Sequence, residues 1–161
     1  MLDTILDAIR PIRKALEKAQ ALSDWRFCQG AANGAADPAY DDSGWELVQP
    51  GTTWAGAAGE VWLRRKLRFE DTVAGIETGG ASVELPFIVP IHSEVYVDGE
   101  LRRAEPSWLD TRAVPLVICD AYTPGQEIQI AVHAFGGDGF GLFLPSGARV
   151  SSLADALWDL D

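Results

Sequence analysis

Apolar and polar residues alternate along Glu60–Phe69 more regularly than anywhere else in the chain. Val61, Leu63, Leu67 and Phe69 fall on one side, and Trp62, Arg64, Lys66 and Arg68 on the other. Successive side chains of a strand point to opposite faces, so this stretch predicts a long, half-buried β-strand. Arg65 interrupts its apolar side and demands a carboxylate partner or a local bend. One oily face and one charged face are the mark of an antiparallel sheet with a single packed side. The same period returns at Trp25–Cys28, Ala81–Val89, Glu94–Val97 and Ile128–Ala134, while Trp45–Val48 reads as a short strand and Val114–Cys119 as an apolar, strand-like run. Turn residues separate these runs. Asp98-Gly99 suits a two-residue type I′ hairpin, and Thr123-Pro124-Gly125-Gln126 a tight turn. Asp37-Pro38 suits the start of a single helical turn. Gly30–Ala36, Pro50–Gly59 with Trp54, Arg102–Arg112 with Trp108 and Asp110, and Gly136–Gly141 read as loops.

Helical periodicity is confined to the ends. Ile5, Ile9, Ile12, Leu16 and Ala19 share one face of a predicted N-terminal helix with Asp3 as its cap. Pro11 kinks it or divides it, since an internal proline costs about 3 kcal/mol. A weaker pattern covers Ser152–Asp161. The resulting division is a helical segment over 1–22, a β-domain over 23–150, and the start of a linker over 151–161. About seven to nine short strands with turn punctuation specify an antiparallel β-sandwich or jelly roll, mainly β, with an N-terminal helix. Strands do not alternate with long helices, which excludes a doubly wound or barrel fold.

Composition narrows the function. The 161 residues carry a net charge of −11, which argues against nucleic acid and anionic membranes as partners. Arg64, Lys66 and Arg68 form a local basic stripe, read as a solvated or domain-covered strand face in preference to a ligand site. No apolar run approaches the roughly 20 residues that span a bilayer. The acidic N-terminus lacks the basic start and apolar core of a signal peptide, so the expected location is cytoplasmic. Cys28 and Cys119 are then expected as reduced thiols, and without a Cys/His cluster no structural zinc is expected in this domain.

Three pieces in order carry a resemblance: Asp37-Pro38 to Trp45 followed by Trp54 and Val61-Trp62-Leu63-Arg64-Arg65; the hairpin Val95-Tyr96-Val97-Asp98-Gly99; and Pro124-Gly125-Gln126 to Val132. Together they resemble the galactose-binding-like jelly roll that flanks many glycoside hydrolases, and most of all the N-terminal β-domain of class II α-mannosidases, glycoside hydrolase family 38. The resemblance implies a non-catalytic domain that buttresses a catalytic domain of the same full-length chain, shapes its substrate rim, and supports a homo-oligomer. It places zinc and the aspartate nucleophile in that other domain. Asp110 stands near the aspartate of a Gly-x-Asp-x-x-His run in the family, but the histidine is absent here.

Catalysis within the chain would need paired carboxylates about 5–10 Å apart. Asp37, Asp41, Asp42, Asp110 and Asp138 all sit in turn contexts that explain them without chemistry. Asp41 and Asp42 are weak candidates for a structural calcium. His133, on the outward side of its strand, and His92 lack a nucleophile elbow and read as structural. The six tryptophans leave a second reading open. Sugar rings stack on aromatics, so Trp54, Trp62 and Trp108, with Arg64 and Asp110, are the candidates for carbohydrate or interface contact. A free carbohydrate-binding module is the alternative to the accessory domain.

Overall fold

A computed structural model describes residues 20–21, 23–49, 51–55, 59–69, 71–73, 76–85, 92–105, 116–135, 140–142 and 147–150. The central feature is a six-stranded antiparallel sheet in the order β10-β9-β12-β5-β2-β3. Its members are β2 (Trp25–Gln29), β3 (Glu46–Val48), β5 (Glu60–Leu67), β9 (His92–Val97), β10 (Glu100–Glu105) and β12 (Ile128–Phe135). A second sheet of four strands runs β1-β14-β8-β11, from β1 (Gln20–Ala21), β14 (Gly147–Val150), β8 (Val83–Leu85) and β11 (Leu116–Cys119). Two small ribbons complete the described part: β4 (Thr53–Ala55) with β13 (Phe140–Leu142), and β6 (Thr72–Val73) with β7 (Ile76–Glu77).

The alternation of Glu60–Phe69 becomes the seam of the large sheet. β5 pairs with β12 over eight residues, from Ile128 opposite Leu67 to Phe135 opposite Glu60. This register puts Val61, Leu63 and Leu67 on the same side as Ile128, Val132 and Ala134. Val95 and Val97 join them from β9. Val83, Leu116 and Ile118 of the smaller sheet close the core, with Trp25 and Tyr122 fully buried in it. Tyr122 brings a hydroxyl inside, and three backbone groups satisfy it. The amide of Phe69 donates to it at 3.1 Å, and the carbonyls of Phe69 and Gln126 lie within reach of its proton, each at 3.1 Å.

Arg65 stands opposite Ile130 on the inner face and bonds a main-chain carbonyl where a carboxylate was expected, with its Nε buried and unpaired. Its Nη1 donates to the Asp24 carbonyl at 3.2 Å, and the Asp24 carboxylate offsets part of the desolvation that lowers its pKa. The hairpin turn has the form its sequence predicts: Asp98 at φ 50° and Gly99 at φ 86° join β9 to β10. The Asp98 carboxylate accepts from the Gln129 amide at 2.8 Å and locks the turn to β12.

Several expectations change. No helix occurs among the described residues, so none there could cross a membrane. Most of the expected 1–22 helix lies outside them, but its last turn does not form. Gln20 and Ala21 are strand, paired with Ala148 and Gly147. Backbone pairing at the edge of the smaller sheet overrides the local 3.6-residue pattern. The weak helical pattern at 152–161 lies outside the described residues. The loops expected around Trp54 and after Gly136 pair with each other, Trp54 opposite Gly141. Asp37-Pro38 opens a succession of turns in place of a helical turn, with the Asp37 carboxylate accepting from the Ala39 amide at 2.8 Å. Cys28 and Cys119 are free and half-buried.

Candidate functional site

The outward face of the large sheet was expected to be solvated or covered by another domain. The chain covers it itself. After β2 the backbone crosses the sheet as residues 30–45, built from small residues and tight turns. Ala32 and Ala35 press on Trp62 and Ala131, and Cys28, Tyr40, Trp45 and Tyr96 pack around them. Alanines suit this place because a backbone can lie close to the sheet only over short side chains. Trp62 is therefore 7% exposed and Arg64 0% exposed. Both are corrected from outward, accessible positions to buried ones.

Arg64 holds that covering segment in place. Its Nε donates to the Asp42 carboxylate at 2.9 Å, and its Nη1 to the carbonyls of Ala35 at 2.5 Å and Asp37 at 2.9 Å. The Tyr40 ring lies under the guanidinium at 5.3 Å. A flat, forked cation can serve a carboxylate and several carbonyls at once, which a lysine cannot. Arg26 stands directly opposite Arg64, an unfavourable pairing of like charges. The two separate by choosing different acceptors, Arg26 donating to the Trp45 carbonyl at 3.1 Å.

Beyond this cover, cross-strand pairing assembles an acid–aromatic cluster. Phe135 opposes Glu60, and His133 opposes both Trp62 and Glu94. The His133 Nε2 lies 2.7 Å from a Glu60 oxygen, and its Nδ1 lies 3.5 Å from Glu94. Trp62 stacks on the imidazole at 4.1 Å with the rings 8° from parallel, and Phe135 tilts against it at 4.1 Å. The Tyr96 hydroxyl donates to Glu94 at 2.6 Å. Burial, followed by this bond and the Glu94 charge, pushes the Tyr96 phenol up to about 12. A histidine bound to a glutamate can in principle relay a proton. Here both ring nitrogens face carboxylates and the ring packs against Trp62 and Phe135, so the arrangement favours a structural role. In the sequence His133 reads as structural and Trp62 as a carbohydrate or interface candidate, with nothing to link the two or to add Glu60 and Glu94. Only the strand register brings them together.

The remaining sequence candidates are scattered. Lys66 is exposed and pairs with Glu127 at 3.0 Å. Trp54 lies on β4, at the ribbon and away from a loop. Trp108, Asp110 and Asp138 lie outside the described residues. The Asp41 carboxylate accepts from the Ser43 amide at 3.0 Å, and hydrogen bonds from Ser43, side chain first, hold it below the usual range. Asp42 is taken by Arg64. Among the described residues no group of three or more His, Cys, Asp or Glu side chains is placed to hold a metal ion.

No family model and no curated protein matches the sequence. Solved structures do. A β-glucuronidase from Bacteroides uniformis aligns with a TM-score of 0.65 at 21% identity over 81% of this chain and 17% of its own. A glycosyl hydrolase family 2 member from Bacteroides cellulosilyticus gives 0.64 at 17% identity over 81% and 20%. A β-glycosidase from Bacteroides vulgatus gives 0.58 at 21% identity over 81% and 20%. The fold is a β-sandwich that recurs in glycoside hydrolases. These neighbours are β-glycosidases and a family 2 enzyme, and they overturn the α-mannosidase assignment. The turn and strand motifs that suggested it belong to the sandwich and do not separate one hydrolase family from another. The zinc expected in a separate catalytic domain rested on that assignment. The chain spans about a fifth of the length of the solved chains it matches, 17% and 20% for the first two.

Proposed function

We propose that this chain is an accessory β-sandwich of a glycoside hydrolase acting on β-linked sugars, and that it contributes support while another domain does the chemistry. The observation that carries the reading is the pair of coverages, 81% of this chain against 17% of a β-glucuronidase. An alignment over most of this chain and 17% of the neighbour supports reading the described sandwich as one domain of such an enzyme. The side chains support it. The acids nearest a catalytic pattern, Glu60 and Glu94, are engaged by His133 and Tyr96. The partner is the catalytic domain of the same enzyme, with its substrate rim or an oligomer contact as the place where this domain acts. The alternative of a free carbohydrate-binding module gains nothing from Trp62, which the chain's own 30–45 segment covers.

The test is hydrolysis of aryl β-glucuronides and other aryl β-glycosides by residues 1–161 alone. The expected rate equals that of buffer, for the wild type and for Glu60→Gln and Glu94→Gln alike. Turnover by the wild type that either substitution abolishes would overturn the reading.

A further inference from the structure

Two buried polar atoms on the covered face have no protein partner: Nη2 of Arg64 and Oε1 of Gln129. Arg64 is 0% exposed and Gln129 3% exposed. One atom is a donor and the other an acceptor. The register makes their residues diagonal neighbours, since Arg64 opposes Ala131 and Lys66 opposes Gln129. Diagonal positions on one face of an antiparallel pair are about 7–8 Å apart, within reach of long side chains.

Neither group is at liberty to turn elsewhere. Arg64 is fixed through Nε and Nη1 by Asp42, Ala35 and Asp37. Gln129 donates through Nε2 to the carbonyls of Ile130 at 2.8 Å and Arg65 at 3.2 Å. Flipping the amide would set its oxygen against both carbonyls, so Oε1 must face away from them. The segment that covers Arg64 also reaches the Gln129 side of the sheet. A Cβ on Gly99 would come within 3.1 Å of Pro38, and the neighbouring Asp98 holds the Gln129 amide. Two buried polar groups left unpaired cost about 1–3 kcal/mol each. An internal water can serve a buried donor and a buried acceptor together, since it both accepts and donates.

We propose that a single buried water bridges Arg64 Nη2 and Gln129 Oε1, accepting from the guanidinium and donating to the amide oxygen. It completes the clamp on residues 30–45: Arg64 grips the segment directly, and the water ties that grip to β12. The site takes water in preference to an anion, because Asp42 already neutralises the guanidinium and an amide oxygen repels negative charge.

Two measurements test it on residues 1–161. In a crystal structure that resolves ordered solvent, the expected density is one water at about 2.7–3.2 Å from both atoms. In solution, magnetic relaxation dispersion is expected to count one long-lived water fewer in Gln129→Met than in the wild type. A direct Arg64–Gln129 bond, another protein group on either atom, or an unchanged count in the variant overturns the proposal. Where Gln129→Met does not fold, the wild-type density decides alone.

Discussion

The two faces of the six-stranded sheet are both buried, but by different means. Arg65 apart, the inner face is a layer of Val, Leu and Ile whose burial follows from strand alternation and needs no specific partner. The outer face buries a tryptophan, an arginine and a glutamine, and residues 30–45 lie across the tryptophan and the arginine. Apolar packing tolerates inexact geometry, whereas each polar group on the outer face must find its own acceptor or donor. The inner face therefore resembles a conventional core, and the outer face a lock with one central bolt at Arg64.

Substitutions can break this contrast in order of expected size. Leu63→Ala, at the fully buried centre of the inner face, is expected to cost about 2–5 kcal/mol in denaturant unfolding, with every probe reporting one transition. Arg64→Met keeps bulk but strands the Ala35 and Asp37 carbonyls and the Asp42 carboxylate, for an expected loss of about 3 kcal/mol. Arg64→Lys is expected to recover less than half of that loss, because an ammonium cannot span all three acceptors. Full recovery by lysine would show that charge alone matters and that the fork does not. Tyr122→Phe removes a buried hydroxyl on the inner side, where Arg65 is another polar group. It leaves the buried Phe69 amide unpaired and is expected to cost about 1–3 kcal/mol, measured in the same way.

The smallest effect lies at the rim between the faces. Asp24 accepts from the Gln49 side chain at 2.6 Å, and this bond, then the one from Ser23, lowers its pKa below 3.8. A carboxylate with a depressed folded pKa adds stability that is complete above its unfolded value and disappears as pH falls through the folded value. The gap in melting temperature between wild type and Asp24→Asn is expected to hold from pH 7 to about 5 and to close below 3.8. A gap that persists unchanged at pH 2 would assign it to the side-chain hydrogen bonds with Gln49 and Ser23 and not to charge.

The inner face was legible from sequence because it depends on period alone. Val61, Leu63, Leu67, Ile128, Ile130 and Val132 announce themselves by alternation, and Asp98-Gly99 by its turn chemistry. The outer face was not, because the same alternation labels Arg64 polar and hence exposed. What buries it is a segment whose bonds to it span 22 to 29 residues of chain, and whose alanines carry no periodic signal. The small residues of 30–36 were the available hint, since they let one backbone lie flat on another. The Glu60–His133–Glu94 cluster needed strand order, which periodicity does not supply. The mannosidase reading failed for a related reason. Its motifs encode turns and strand entries, and these follow the sandwich and not the chemistry attached to it.

Hydrogen–deuterium exchange on the wild type and Arg64→Met tests the bolt most directly. The amides of Ala35, Asp37 and Tyr40, bonded within the covering segment, are compared with those of Leu63 and Val132 in the sheet. The account predicts slow exchange at all five in the wild type, and in the variant a loss of protection at the first three with the sheet pair still protected. Fast exchange of the covering segment in the wild type, or equal loss at all five sites in the variant, would contradict it.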